Sequence, residues 1–234
     1  MVDARLRENL ARVVERIERA RDRAGHIDPV TLVAVTKGHA ADVVRSAAAV
    51  GLEHCGENRV AELEEKIEEV GRYAVTWHLI GHLQRNKVRR ALSLFDLVHS
   101  IDSERLANEV SAEAVRVQTT VPSLIQVNVT GEETKGGFNA VTTLEPALDA
   151  IGRVLSLPGL AVQGLMTMAP LTDDEGTLHK TFARARDLFE RSAQLSGFGA
   201  QYLSMGMSND FEIAVEEGST MVRLGTILFG ERQR

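Results

Sequence analysis

Short segments with the composition of buried strands alternate with helical segments eight times along the chain. The strand-like segments are Thr31–Thr36, Glu53–Gly56, Thr76–Gly81, Leu97–Ile101, Ser123–Thr130, Val162–Ala169, Tyr202–Gly206 and Thr220–Leu224. The helical segments are Ala41–Val50, Arg59–Val70, Gln84–Leu92, Glu104–Arg116, Thr142–Leu155, Glu175–Leu195 and Phe211–Glu217. This alternation predicts parallel strands joined by right-handed crossovers. Eight such units in 234 residues suit a closed (β/α)₈ barrel of the α/β class better than an open sheet, which usually has about five or six strands.

An additional helix is predicted ahead of the first strand. Residues Val2 to Ala24 are rich in Arg and Glu and carry apolar residues at helical spacing, namely Leu6, Leu10, Val13, Val14 and Ile17. No Pro/Gly/Ser-rich linker divides the chain, which has only five prolines. We therefore expect residues 1–234 to form a single domain.

Composition narrows the functional classes. The formal net charge of −6 gives no broad surface for nucleic acid, and the basic stretch Arg85–Arg90 is most simply a solvated helix face, with a phosphate-binding surface as the alternative. The single cysteine, Cys55, cannot form an internal disulfide, and the charged N-terminal segment is unlike a secretory signal. No apolar stretch is long enough to span a membrane. We expect a cytoplasmic protein without a membrane or nucleic-acid partner.

A lysine ends the first predicted strand. Residues Thr31–Thr36 form an apolar run that stops at Lys37, so the amine should lie where the strand leaves the core. Desolvation there would lower the pKa of the amine, and a partly neutral lysine is a nucleophile that forms a Schiff base with an aldehyde. The alternative is a lysine whose ammonium reaches into water at a strand end.

Two strand ends carry groups suited to phosphate. The seventh strand ends with Ser204 and a glycine before a helix start, where free N–H groups favour an anion. After the eighth strand come Gly225 and Thr226, which offer N–H groups and a hydroxyl, while Arg223 supplies a permanent cation. In barrels of this kind the loops after strands seven and eight commonly hold phosphate. The alternative is that Ser208 or Asn209 caps a helix and that Gly225 forms a turn.

Further polar residues follow the second and third strands. Asn58 is either a ligand contact or a helix cap, and His82 lies at the predicted mouth of the barrel. His78 alternates with Trp77 and Leu79, which indicates a histidine whose hydrogen bonds are satisfied in the core or in an interface. The spacing of histidines, cysteines and carboxylates predicts no metal site, and no nucleophile elbow is present.

A nucleophilic lysine facing a phosphate site calls for a phosphorylated carbonyl compound. Pyridoxal 5′-phosphate (PLP) meets that description, and so does a phosphorylated sugar in a Schiff-base aldolase. The residues alone leave both open.

Six blocks, in order along nearly the whole chain, resemble the pyridoxal phosphate homeostasis protein family. They are Val35–Lys37, Gly56–Arg59, Trp77–Lys87, Gly164–Met168, Leu203–Ser208 and Val222–Thr226. The resemblance implies a barrel like the N-terminal domain of alanine racemase, with PLP held as a Schiff base. It also implies that Lys37 carries the cofactor.

The resemblance gives roles to the other residues. It implies that Ser204, Gly225 and Thr226 hold the phosphate and that Asn58 lies beside the ring. Arg223 occupies the position from which the racemase arginine reaches the pyridine nitrogen, and a contact to the phosphate is the alternative. An arginine at that nitrogen would disfavour its protonation and weaken the ring as an electron sink.

The resemblance further implies a carrier rather than an efficient enzyme. Related racemases use a second β domain and a catalytic tyrosine, whereas this chain ends at Arg234 and has only Tyr73 and Tyr202. We therefore expect a monomer that stores, buffers or delivers PLP, with PLP-dependent apoenzymes as recipients. Two alternatives to the carrier remain. One is a small PLP-dependent racemase, for which His82 is a weak candidate as the second proton donor. The other is a sugar-phosphate enzyme.

Overall fold

The computed structural model describes residues 2–132 and 135–231. Its helices are α1 (Val2–Ala24), α2 (Ala41–Ala49), α3 (Val60–Val70), α4 (Val88–Ala91), α5 (Glu104–Arg116), α6 (Glu145–Leu155), α7 (Glu175–Ser192), α8 (Phe211–Glu216) and α9 (Thr226–Phe229). Its strands are β1 (Thr31–Val35), β2 (His54–Glu57), β3 (Thr76–Leu79), β4 (Leu97–Ile101), β5 (Val121–Asn128), β6 (Phe138–Asn139), β7 (Leu160–Met166), β8 (Tyr202–Ser204) and β9 (Met221–Leu224).

Eight of these strands close into a parallel barrel. The order is β4-β3-β2-β1-β9-β8-β7-β5, and pairing of β4 with β5 completes the ring. Each barrel strand is parallel to its neighbours, and helices connect them. The predicted (β/α)₈ barrel is therefore confirmed. The carboxyl ends of all eight strands meet at one end of the barrel, which is where a site of this fold is expected.

The additional N-terminal helix is also confirmed. Helix α1 packs against α2, α8 and α9, and its buried face includes Leu6, Val13 and Ile17. Arg16 on this helix forms an ion pair with Glu212 of α8, with 2.5 Å between Nη2 and Oε2. Of the predicted apolar stripe, Leu10 is partly buried and Val14 is 45% exposed, because Val14 lies on the side of the helix that faces away from the barrel. Burial of the remaining apolar residues fixes α1 across the outside of the barrel.

The structure differs from the sequence prediction at several boundaries. Strands β5 and β7, the fifth and sixth strands of the barrel in chain order, each begin two residues earlier than predicted. The segment predicted as the helix Gln84–Leu92 contains a 3₁₀ turn at Arg85–Lys87 and only one α-helical turn. The two-residue strand β6, which pairs with β5, was not predicted because it is too short to show a periodic pattern.

Inside the barrel, apolar and polar residues occupy different levels. A cluster of Val33, Leu97, Leu124, Met166 and Met221 is buried there. Arg223 lies two residues beyond Met221 on β9, so its side chain faces the same interior, nearer the carboxyl end. Among the described residues, no helix is long and apolar enough to cross a membrane.

Candidate functional site

A cavity of about 720 Å³ opens at the carboxyl ends of the barrel strands. Its size falls in the range of small-molecule sites, which are roughly 300–1,000 Å³. Five of the six predicted cofactor residues line it, namely Lys37, Asn58, Arg223, Gly225 and Thr226. These residues come from three neighbouring strand ends, those of β1, β2 and β9.

Ser204, the sixth predicted residue, does not line the cavity. Its side chain is fully buried, and its hydroxyl accepts a hydrogen bond from Arg223 Nη1 at 2.7 Å. Ser208 lines the cavity instead, and its Oγ accepts a long hydrogen bond of 3.4 Å from the backbone N–H of Ile227. Ser204 is the last residue of β8 and Ser208 lies in the loop after it, and only the folded structure shows which of the two faces the cavity.

The backbone around Lys37 is fixed by hydrogen bonds on both sides. Before it, the hydroxyl of Thr36 donates to Glu57 Oε1 at 2.5 Å, and the carbonyl of Thr36 accepts from Lys66 Nζ at 2.8 Å. After it, the N–H of Gly38 donates to the carboxylate of Glu62. Lys37 itself is half-buried at the cavity wall. The lysine is therefore attached to a rigid strand end, which suits a residue that must meet a ligand in one orientation.

A buried ion pair supports this strand end. Lys66 on α3 is 2.6 Å from Glu57 Oε1, and both side chains are at most 5% exposed. Burial raises the pKa of Glu57, with the attraction of Lys66 acting in the opposite direction. The pair was not predicted from the sequence, because Lys66 lies in a helix rich in charged residues, a composition typical of a solvated helix. One feature of the sequence indicates that Lys66 is buried. It lies three residues after the apolar Leu63, on the same face of the helix.

Arg223 carries a buried cation at the base of the cavity. Besides the bond to Ser204, its Nη2 donates to the carbonyl of Thr167 at 2.9 Å. Burial lowers the pKa of the guanidinium to about 10, and the carboxylate of Asp210 acts in the opposite direction. Among the described residues, no carboxylate lies within ion-pair distance of Arg223. The site thus offers a buried positive charge that feels the attraction of Asp210 but forms no direct ion pair with it.

Gly225 allows a close approach between β9 and β1. A side-chain carbon at this position would lie 3.2 Å from the carbonyl oxygen of Val35. Gly225 precedes the short helix α9, which begins at Thr226, and both residues line the cavity. The first N–H groups of a helix have no partner within the helix. Ser208 also lines the cavity beside α9, so this part of the wall offers hydroxyl and N–H groups to an anion.

Gly81 keeps the Asn58 segment in place. A Cβ at Gly81 would lie 2.5 Å from the carbonyl oxygen of Asn58 and 2.8 Å from its Cα. We expect Gly81→Ala to displace the Asn58 backbone and to lower the free energy of unfolding by roughly 1–3 kcal/mol, measured by chemical denaturation. Gly152→Ala is the matched control, because that helical glycine has open space around it and should gain up to about 1 kcal/mol. Equal stability of the two variants would contradict the close contact.

Two further groups at the cavity were not singled out by sequence analysis. Lys135 lines the cavity, and its ammonium contacts Glu132 Oε1 and the carbonyl of Ala169, each at 2.8 Å. Asp102 also lines it, with its Oδ2 at 2.7 Å from Nδ1 of the exposed His82. No group of three or more histidines, cysteines or carboxylates among the described residues is arranged to hold a metal ion.

Comparisons with known proteins bear on this site. Residues 9–233 match the family described as "Alanine racemase, N-terminal domain". A protein of Aquifex aeolicus named "Pyridoxal phosphate homeostasis protein" is 40% identical over 227 residues, which cover 97% of this chain and 98% of that protein. A protein of Pseudomonas aeruginosa with the same name is also 40% identical, over 96% of this chain and 95% of that one.

Solved structures show the same fold. PipY of Synechococcus elongatus, determined with PLP bound, is 34% identical and superposes with a TM-score of 0.82, covering 96% of this chain and all of PipY, 100%. An alanine racemase of Clostridium difficile is 16% identical with a TM-score of 0.73, covering 99% of this chain but only 57% of the racemase, and so it shows the fold alone. By its sequence and its barrel, this chain belongs to the pyridoxal phosphate homeostasis protein family, built on the alanine racemase N-terminal domain.

Proposed function

We propose that this protein binds PLP in the barrel cavity, holds it as a Schiff base on Lys37, and acts in PLP homeostasis. The proposal is carried by one observation. Lys37, hydroxyl and N–H groups able to bind an anion, and a guanidinium without a direct ion pair line one cavity. The relatives named for PLP homeostasis and the PLP-bound PipY support the choice of PLP over a sugar phosphate.

Each part of the cofactor has a matching group in the cavity. The amine of Lys37 adds to the aldehyde carbon, and loss of one water molecule leaves the imine. Ser208, Gly225 and Thr226 receive the phosphate, and Asn58 lies beside the ring. Arg223 is two residues deeper on β9 than Gly225, so we assign it to the pyridine nitrogen. Ser204 is then reassigned from the phosphate to the support of Arg223, because its hydroxyl is occupied by that guanidinium.

Removal of single groups should separate the ring contact from the phosphate contacts. Arg223→Ala should raise the Kd for PLP at least tenfold, about 1.4 kcal/mol, and leave the affinity for inorganic phosphate nearly unchanged. Ser208→Ala should weaken the binding of both PLP and inorganic phosphate, because it removes a donor to the phosphate. Both affinities are measured by calorimetric titration. An equal loss of affinity for PLP and for inorganic phosphate in Arg223→Ala would instead assign the arginine to the phosphate.

We propose a carrier rather than an efficient enzyme. PLP supplies an electron sink when bound, and turnover by racemisation additionally needs a proton donor opposite the lysine. Tyr202 begins β8 at the opposite end of the barrel, and Tyr73 is 93% exposed in the loop before β3. Neither lies at the cavity, which leaves His82, already paired with Asp102, as the rival donor.

Cofactor transfer distinguishes the carrier from the racemase. The PLP-loaded protein is mixed with an apo-aminotransferase, and recovery of aminotransferase activity is followed over time. We expect recovery, together with negligible exchange of the α-hydrogen of alanine in deuterated water. Rapid α-hydrogen exchange that His82→Gln abolishes would favour the racemase. A purified protein that binds a sugar phosphate but not PLP would favour the sugar-phosphate enzyme.

We further propose that the chain works as one cytosolic domain and as a monomer that hands PLP to apoenzymes. The absence of any predicted linker and the negative net charge support this assignment. Sedimentation equilibrium of the PLP-loaded protein should give the mass of one chain, and a dimer mass would overturn the monomer.

A further inference from the structure

A chain of three histidines crosses the barrel interior behind Arg223. His99 Nδ1 is 3.2 Å from Ser204 Oγ, and His99 Nε2 is 2.8 Å from His78 Nδ1. His78 Nε2 is in turn 3.0 Å from His54 Nδ1. Together with the bond from Arg223 to Ser204, these contacts form one continuous series from the cavity to the half-buried His54 at the start of β2. The three histidines are called the histidine chain below.

One direction of the hydrogen bonds gives the protons on Ser204, His99 and His78 each an acceptor. Arg223 can only donate, so Ser204 Oγ accepts from it. Among the described residues, the Ser204 hydroxyl meets no acceptor other than His99 Nδ1, so it donates there. A neutral His99 then carries its proton on Nε2 and donates to His78, which by the same rule donates to His54.

Burial disfavours a proton on each ring of the histidine chain. Burial lowers the pKa of His78 to about 3 and holds the pKa of His99 well below its ordinary value. Burial also lowers the pKa of His54, against the attraction of Glu53 and Asp96. The other charge close to the chain is Arg223, which further disfavours a proton on His99. A series of aligned neutral dipoles therefore presents its negative end to the guanidinium.

We propose that His99, supported by His78 and His54, is a positioning residue that holds Arg223 toward the bound cofactor through Ser204 while leaving its positive charge uncancelled. A carboxylate in the same place would hold the guanidinium equally well but would neutralise it. The histidine chain orients the arginine with lone pairs alone, so it adds no negative charge to the attraction that Asp210 already exerts on the guanidinium. This assignment rests on the proposed role of the cavity as a PLP site.

The first test does not need the cofactor. In the full-length protein labelled with ¹⁵N-histidine, long-range ¹H–¹⁵N correlation spectra report which ring nitrogen carries the proton. We expect His78 and His99 as neutral Nε2–H tautomers between about pH 6 and 8, where an ordinary histidine titrates. An Nδ1–H tautomer at His99, or a protonated ring at either residue, would overturn the proposal even if PLP binds as proposed.

The second test measures coupling to Arg223 in the PLP-loaded protein. His99→Leu should raise the Kd for PLP about tenfold, as expected for loss of a hydrogen-bonded support of a charged group, and leave inorganic phosphate binding unchanged. The Kd for PLP of His99→Gln should lie within about threefold of the wild-type value, because the glutamine amide both accepts and donates hydrogen bonds. His179→Gln, a histidine on the outer helix α7, is the matched control and should bind PLP as the wild type does.

A double-mutant cycle separates positioning from general damage. In the Arg223→Lys background, His99→Leu should change the Kd for PLP less than about twofold, because the arginine to be positioned is gone. The same tenfold loss in both backgrounds would show that His99 acts on the fold rather than on Arg223. If His99→Leu does not fold, Ser204→Ala serves in its place in the same cycle. Absence of an imine when the wild type is mixed with PLP would refute the proposed function. The tautomer spectra would still show whether the hydrogen bonds of the histidine chain run in the proposed direction.

Discussion

Lys37→Ala should abolish the imine absorbance that forms when the wild type is mixed with PLP. The variant keeps Arg223 and the groups proposed to hold the phosphate, so it should still bind PLP noncovalently, with a Kd raised at least tenfold, about 1.4 kcal/mol. The imine is followed by absorbance titration and the affinity by calorimetry. The expected loss is complete for the covalent bond because no other lysine is proposed to reach the aldehyde.

The matched control for this change is Lys180→Ala, an exposed lysine on α7 outside the cavity. It should form the imine as the wild type does. Lys135 also lines the cavity, held by Glu132, and is the residue to examine if an imine persists in Lys37→Ala. An undiminished imine band in that variant would remove Lys37 from the account.

Lys66→Ala should lower the free energy of unfolding by about 3–5 kcal/mol. The change leaves Glu57, which is fully buried, without the cation that lies 2.6 Å from its carboxylate. It also removes the hydrogen bond to the carbonyl of Thr36, the residue before Lys37. We therefore expect weaker PLP retention in addition to the loss of stability, measured by urea denaturation with and without PLP.

The loss in Lys66→Ala should depend on pH in a defined direction. Burial raises the pKa of Glu57 above its unfolded value of about 4.3, so the folded state disfavours the ionised form. The destabilisation is therefore present above the folded pKa and diminishes as the pH falls toward about 4.3. A loss of stability that is constant over this range would show that the carboxylate is not the source.

Two controls isolate the buried ion pair. Lys180→Ala removes a lysine of the same kind from an exposed helix position and should change the stability by less than about 0.5 kcal/mol. The double variant Glu57→Gln with Lys66→Met removes both charges and should recover most of the loss, because no uncompensated charge remains. Failure of the double variant to recover would show that the loss comes from the hydrogen bond to Thr36 or from packing, and not from the unpaired charge of Glu57.

The barrel could be predicted from the sequence because its signal is local and repeated. The apolar composition of segments such as Thr31–Thr36 and Leu97–Ile101 predicts buried strands without any other information. Eight such strands, alternating with helices, predict a barrel even where single strand boundaries are displaced. The polar segment around His54–Glu57 was placed as a strand only by its position between two helices, and the structure confirms it. By contrast, β6 carries no periodic signal.

The site was only partly predictable because much of it depends on register between distant segments. Lys37 and Gly225 mark strand ends, which sequence patterns locate, and both line the cavity. Whether Ser204 or Ser208 faces the cavity depends on how β8 pairs with its neighbours. His78 was correctly read as a core histidine, yet its partner His99 lies 21 residues away on the next strand. No sequence pattern connects such residues, because only closure of the barrel aligns them.

The most direct test of the account is borohydride reduction of the PLP-loaded protein followed by peptide mass mapping. Reduction converts an imine into a stable secondary amine and so marks the lysine that carried it. We predict a single pyridoxyl phosphate adduct, on Lys37, with Lys135 unmodified. An adduct on another lysine, or none after incubation with PLP, would contradict the assignment of this cavity as a PLP site anchored by Lys37.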